Sequence, residues 1–197
     1  MKAVRIVSGR AIPLDRSDVD TDQIIPSDWL KQVERTGFEK GLFSEWRDER
    51  DFVLNREEFA GASILVAGPN FGTGSSREHA VWAIQQYGFK AVISPRFGDI
   101  FANNSTKNGL VAVQVSAEVG RRLLEAIEAD PTIEIVVDVE RRVVEVPSLG
   151  ILEEFPLSDS VRHRFLEGLD DIGLTLAHEA DITAYEATRP AWMPTVA

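Results

Sequence analysis

The sequence contains no cysteine. A chain without thiols forms no disulfide, uses no thiol nucleophile, and cannot by itself hold a thiolate-ligated metal or an iron–sulfur cluster. Histidine is scarce too: His79, His163 and His178 are the three present, and they show no metal-ligand spacing. No apolar run approaches the ~20 residues that span a bilayer. The N-terminus, Met1-Lys2-Ala3-Val4-Arg5-Ile6, lacks the apolar stretch of a signal peptide. The expectation is a cytoplasmic protein that does not enter a membrane. Basic residues are in deficit, 21 Lys and Arg against 32 Asp and Glu, for a formal net charge of −11. That balance argues against binding nucleic acid through its phosphates. Any anion site must depend on a few arginines and backbone N–H groups working against the overall field.

What is present fits a globular chain. Its 197 residues, 44% hydrophobic and 27% charged, suffice for one domain with a real core. No internal repeat or low-complexity segment interrupts it. We expect a single domain over 1–189 and a loosely ordered tail over 190–197, beginning after Arg189.

The chain is organised around Gly68-Pro69-Asn70-Phe71-Gly72-Thr73-Gly74-Ser75-Ser76-Arg77-Glu78-His79. The apolar run 64–67 before it reads as a buried strand, and 80–87 after it as a helix ended by Gly88. A glycine-rich turn therefore leads from a strand into a helix N-terminus. Such turns let a ligand approach the backbone, and the free N–H groups of the first helical turn favour anions. The dinucleotide fingerprint fails, because Arg77 stands where its third glycine belongs, and no P-loop Gly-Lys-Ser/Thr follows. A plain structural turn accounts for the glycines but not for Ser75, Ser76 and Arg77 together. Those three suit a carboxylate or phosphate ligand.

Elsewhere the pattern is α/β. Residues 4–12 read as a strand bent at Gly9, and 90–94 as a second buried strand, so that 63–94 forms a βαβ unit with parallel strands. A helix is expected over 97–108, a strand over 110–115, and a helix over 117–129 capped by Ser116. Alternation over 133–139 and 142–146 predicts an antiparallel hairpin, and 151–155 a short added strand. Ser158 can cap a further helix, and a last one falls near 180–187. Residues 27–47 predict a short helix and an exposed, mobile loop, and 55–59 a short polar turn. The aspartates of 15–22 fail the EF-hand pattern, lacking its glycine and distal glutamate. They predict an Asx-capped turn.

Several strings together resemble one family. Asn70-Phe71-Gly-x-Gly-Ser75-Ser76-Arg77-Glu78-His79 is similar to the signature of the C-terminal swivel domain of the aconitase superfamily. The match extends to Ser94-Pro95-Arg96-Phe97-Gly98-Asp99-Ile100-Phe101, Asn108-Gly109-Leu110 and Asp20-Thr21-Asp22-Gln23-Ile24-Ile25-Pro26. With 51–55, 168–176 and 184–186, the chain as a whole resembles the small subunits of 3-isopropylmalate dehydratases, lyases of leucine biosynthesis. The resemblance implies an α/β, three-layer β/β/α swivel domain with a parallel βαβ core and added antiparallel strands. It also implies a hydro-lyase that isomerises 2- and 3-isopropylmalate by dehydration and rehydration. In that family the first serine of Ser-Ser-Arg is the base, here Ser75. Ser76 and Arg77 would bind substrate carboxylate, and Asp22 would lie in the active site. The superfamily's [4Fe-4S] cluster, the Lewis acid for the leaving hydroxyl, needs three cysteines and so must come from a separate large subunit, with the active site at the interface. Aconitases carry an arginine where this chain has Val33, aligned on Trp29-Leu30-Lys31. Leu30 and Val33 are therefore expected to line an isopropyl pocket, with Arg35 pointing elsewhere. A sister subunit of the homoaconitase or methylmalate type, or a non-catalytic anion-binding module on the same fold, are the alternatives.

Overall fold

The computed structural model describes residues 1–190, 192 and 193. The tail expected over 190–197 therefore lies outside the described residues except for Pro190, Trp192 and Met193. One seven-stranded sheet runs through the molecule in the order β4-β3-β2-β1-β5-β6-β7. Its strands are β1 (Ile6–Leu14), β2 (Ile64–Ala67), β3 (Ala91–Ser94), β4 (Val111–Gln114), β5 (Glu134–Asp138), β6 (Val143–Val146) and β7 (Ile151–Glu154). The helices are α1 (Thr21–Ile24), α2 (Glu78–Tyr87), α3 (Asp99–Asn108), α4 (Ala117–Ala129), α5 (Asp159–Glu167), α6 (Asp171–Leu176) and α7 (Glu179–Ala187).

The first strand holds the two halves of the sheet together. Its leading part pairs antiparallel with β5, from Ile6 opposite Asp138 to Arg10 opposite Glu134. Its trailing part pairs parallel with β2, from Ala11 opposite Ile64 to Leu14 opposite Ala67. Gly9 lies near the changeover at φ +150°, and a Cβ there would stand 2.5 Å from Ser63 Oγ. That close approach requires glycine here, and the strand expected to bend at Gly9 runs on through it from Ile6 to Leu14. Every residue of β2 and β3 is buried, as parallel strands covered on both faces require. In β5 the buried Ile135 and Val137 alternate with more exposed residues, and β7 buries only Ile151, the pattern of a half-solvated antiparallel arm.

The helices follow from local sequence. In α2, Ala80, Val81, Ala83 and Ile84 form the buried stripe, and Gly88 at φ +121° stops the helix. Helix α2 packs on α3, and α4 lies across β1, β2 and β3. Ser116 caps α4 through Val119 N–H at 3.3 Å, and its own N–H and hydroxyl reach the Glu153 carboxylate at 2.5 and 3.0 Å. One capping residue thus joins α4 to β7.

Three expectations change. The stretch 55–59 is not simply a polar turn: Phe59 is buried, and short 3₁₀ turns span Val53–Asn55 and Glu57–Phe59. Over 27–47 there is no α-helix, but 3₁₀ turns span Ser27–Lys31 and Phe38–Lys40, and Phe38, Leu42 and Phe43 are buried in the core. Helix α6, capped by Asp170 onto Gly173 N–H at 2.7 Å, was not expected, because a glycine in so short a segment obscures the helical pattern. No helix among the described residues is long and apolar enough to cross a membrane.

Candidate active site

The turn between β2 and α2 is shaped by positive backbone angles at Asn70 (φ 61°), Gly72 (75°) and Gly74 (88°). It is clamped from both sides. On one side lies the segment around α1. Gly72 N–H reaches Val19 O at 2.7 Å, Asp18 N–H reaches Pro69 O at 2.9 Å, and Thr21 N–H reaches Thr73 O at 2.9 Å. Asn70 Nδ2 adds a bond to Asp18 Oδ1 at 2.7 Å. On the other side lies 94–101. Phe71 N–H bonds Arg96 O at 3.0 Å, and Gly98 N–H bonds Phe71 O at 2.9 Å. A Cβ on Gly98 would stand 2.4 Å from Gly72 O, so only glycine allows this approach. Ser94 Oγ lies 2.8 Å from both Gly68 O and Arg96 O, and can donate to one at a time.

The aspartate-rich loop resolves as a cap, as expected. Asp20 accepts from Gln23 N–H at 2.8 Å, while Gln23 Oε1 accepts from Asp20 N–H at 2.9 Å, a complete capping box for α1. Among the described residues, no group of three or more His, Asp or Glu side chains stands close enough to hold a metal ion. Another acidic group of the loop faces the turn: Asp22 Oδ1 lies 2.5 Å from Arg77 Nη2. Arg77 Nη1 also donates to Ile25 O at 3.0 Å. The guanidinium, 14% exposed, is thus fixed by two contacts, while the Asp22 carboxylate stays 56% exposed.

Ser75 and Ser76 lie on the surface just before α2. Arg77 has extended geometry at the N-cap of that helix, and no side chain caps its first turn. Two exposed serines, a held guanidinium and an uncapped helix start thus follow one another directly in the chain. Glu78 is drawn away from this chemistry by Asn108, whose Nδ2 donates to its carboxylate at 2.7 Å while Asn108 Oδ1 accepts from Trp82 Nε1 at 2.9 Å. The Asn108-Gly109 string is a brace between α3 and α2. His79 is packed edge-on to Phe38 at 5.2 Å and near Trp82 at 4.7 Å.

Comparison with known proteins decides the family. Residues 1–118 match the aconitase C-terminal domain family, and residues 171–197 match the C-terminal domain family of the 3-isopropylmalate dehydratase small subunit. The chain is 62% identical over 197 residues to the 3-isopropylmalate dehydratase small subunit of Frankia casuarinae, covering 100% of both chains. It is 58% identical over 196 residues to that of Rubrobacter xylanophilus, again covering 100% of both. The chain belongs to the 3-isopropylmalate dehydratase small-subunit family.

A crystal structure of 3-isopropylmalate dehydratase from Methanocaldococcus jannaschii shares the fold, with a TM-score of 0.67 at 24% identity over 91% of this chain and 99% of that one. The aconitase-type swivel fold, with its parallel core and antiparallel additions, is thereby that of this small-subunit family member.

Within this family member, Asp22, Ser75, Ser76 and Arg77 come together, although the aspartate is far from the serines in the chain. Leu30 is half-buried against the core, whereas Val33 is 97% exposed on the loop that follows. Arg35 lays its guanidinium 5.6 Å from the centre of the Trp82 ring, and its carbonyl accepts from Gln86 Nε2 at 2.9 Å. Thr21, not among the expected site residues, also reaches the turn. It is 2% exposed, and its hydroxyl donates to Ser75 O at 2.8 Å. Its place beside Asp22 is the one sequence signal that could have pointed to it.

Proposed function

We propose that this chain is the small subunit of a 3-isopropylmalate dehydratase. It would supply the base and the carboxylate grips for interconverting 2- and 3-isopropylmalate, a hydro-lyase reaction of leucine biosynthesis. The observation that carries this reading is the convergence of Ser75, Ser76, Arg77 and Asp22 in a chain of this family. Ser75 would remove the proton from the carbon next to a substrate carboxylate. A serine is a poor base in water, and becomes a competent one where amides and a cation stabilise its alkoxide. The uncapped start of α2 and Arg77 provide both. A guanidinium carries five N–H donors, and Asp22 and Ile25 engage one on each terminal nitrogen. Donors remain for a substrate carboxylate, with Ser76 adding a hydroxyl beside them.

The residues present do not fit an iron–sulfur cluster, since the chain has no cysteine. We assign the [4Fe-4S] cluster to a large partner subunit, which would close over the substrate. The complex would work in the cytoplasm. Mixing tests this. Purified alone, the chain should bind no iron and turn over no isopropylmalate. Adding a cluster-loaded large subunit should produce activity that saturates at a fixed subunit ratio. Iron–sulfur absorbance or turnover from the chain alone overturns the assignment.

Specificity is proposed to reside in the segment leaving α1. Leu30 and the exposed Val33 would bury the substrate's isopropyl group once the partner is in place. An arginine at residue 33 would stand unpaired against those methyls, which is costly. Val33→Arg in the assembled enzyme should therefore lower kcat/KM for isopropylmalate about 10–100-fold, the scale of apolar pocket discrimination. The melting temperature should not move, because the residue 33 side chain is almost wholly in solvent. Unchanged kcat/KM in both Val33→Arg and Leu30→Ala would remove this segment from the pocket.

A further inference from the structure

Ser75 sits at a mechanically awkward point. It follows Gly74, whose backbone is at φ +88°, and it precedes the first helical residue, Glu78. No strand or helix ladder holds its peptide. A glycine pivot on one side and an uncapped helix start on the other leave the direction of the serine side chain to whatever binds its main chain.

Thr21 makes that bond, and its own position is over-determined. It is the first residue of α1, behind the capping box of Asp20 and Gln23. Its N–H bonds Thr73 O at 2.9 Å, and its carbonyl accepts from Ile25 N–H at 3.0 Å. The side chain is buried, and its hydroxyl reaches Ser75 O at 2.8 Å across 54 positions of sequence. Arg77 is anchored separately, through Asp22 and the Ile25 carbonyl. Neighbouring residues of one short helix thus hold the two functional groups by independent bonds: Thr21 the peptide of Ser75, Asp22 the guanidinium of Arg77.

We infer that Thr21 is a positioning residue for the reaction, orienting Ser75 toward the carbon it deprotonates while taking no part in gripping the substrate carboxylate. This rests on the reading of Ser75 as the base. The independence of the two anchors gives the inference its signature. Loss of the Thr21 hydroxyl frees the serine and leaves the carboxylate grip intact, so kcat falls and KM holds. Misplacing a reacting group by about 1 Å can cost on the order of 10²-fold in rate.

The test uses the assembled enzyme with Thr21→Val, which keeps the shape and removes the donor, and Thr21→Ser, which keeps the donor. Thr21→Val should lower kcat about 10–100-fold with KM within about twofold of wild type. Thr21→Ser should recover most of the loss. Ser75→Ala is measured alongside. If Ser75→Ala keeps turnover, the base assignment itself falls. If Ser75→Ala is inactive while Thr21→Val has wild-type kcat, the positioning role alone is wrong. A rise in KM matching the fall in kcat, or a Thr21→Ser enzyme as impaired as Thr21→Val, also overturns it. Should Thr21→Val fail to fold, Thr21→Ala is substituted, and failure of both to fold or to bind the large subunit marks the hydroxyl as structural and refutes the inference.

Discussion

Ser75→Ala, assembled with the large subunit, is expected to lose turnover by at least about 10²–10⁴-fold, the range for removing a general base. The substitution removes one oxygen from an exposed side chain in a turn whose backbone bonds run through its neighbours. The Thr21 hydroxyl binds the carbonyl of Ser75, which alanine retains, so the turn should keep its shape. Unfolding temperature and affinity for the large subunit should stay at wild-type values. KM should change little, because Arg77 and Ser76 remain. Near wild-type kcat in this variant would sink the assignment of the base. A loss of partner binding in step with activity would show that the hydroxyl serves the interface instead.

The second large effect is on stability, at Gly72. Its φ is +75°, a conformation that costs an L-residue roughly 1–2 kcal/mol. A methyl there would also stand 2.3 Å from Phe101 Cγ. Phe101 cannot retreat easily, being buried, stacked on Phe97 at 6.1 Å and edge-on to Phe71 at 5.3 Å. Overpacking of this kind costs about 1–3 kcal/mol. Gly72→Ala should therefore destabilise the chain by about 2–5 kcal/mol, a large share of the roughly 5–15 kcal/mol that holds a domain together. Gly150→Ala is the control. It has a positive φ of 62° but nothing within 4 Å, so it should show the backbone cost alone. Urea midpoints for the two variants give the comparison. Equal losses would mean that Phe101 moves aside and that the contact carries no penalty.

Local signals carried much of the architecture into the sequence. Ser116 and Ser158 announced α4 and α5, because a capping hydroxyl before an amphipathic run is a complete local instruction. The buried runs of β2 and β3 were equally plain. Helix α6 was hidden because it buries no residue and contains Gly173, so neither periodicity nor propensity marks it. For Phe59 the polar neighbours misled: its ring is covered by the Arg56 guanidinium at 4.8 Å, a contact that no spacing rule encodes. The site was legible as separate strings. The sequence displayed Asp20-Thr21-Asp22, the Ser75-Ser76-Arg77 turn and the Ser94–Gly98 stretch, but not that the first and third clamp the second. That convergence is set by the order of the parallel strands, which brings the ends of β1, β2 and β3 side by side. The Arg77–Asp22 pair follows from the same order, and residue spacing alone could not have given it.

The shared first strand also dictates when this protein can finish folding. Ala11 meets its neighbour Ile64 early in synthesis, but Ile6 has no partner until Asp138 has been made. Until then the leading half of β1 is an open edge on the nascent chain, with unpaired N–H and C=O groups available to any extended segment nearby. Contacts this distant in sequence slow folding, because the chain between them must be ordered before they reward it. Nor can the chain be cut between its parallel core and its antiparallel arm, since either piece would leave one half of β1 without its neighbour. The turn that carries Ser75 can form with the core, but the strand beneath it is completed only when the last third of the chain arrives.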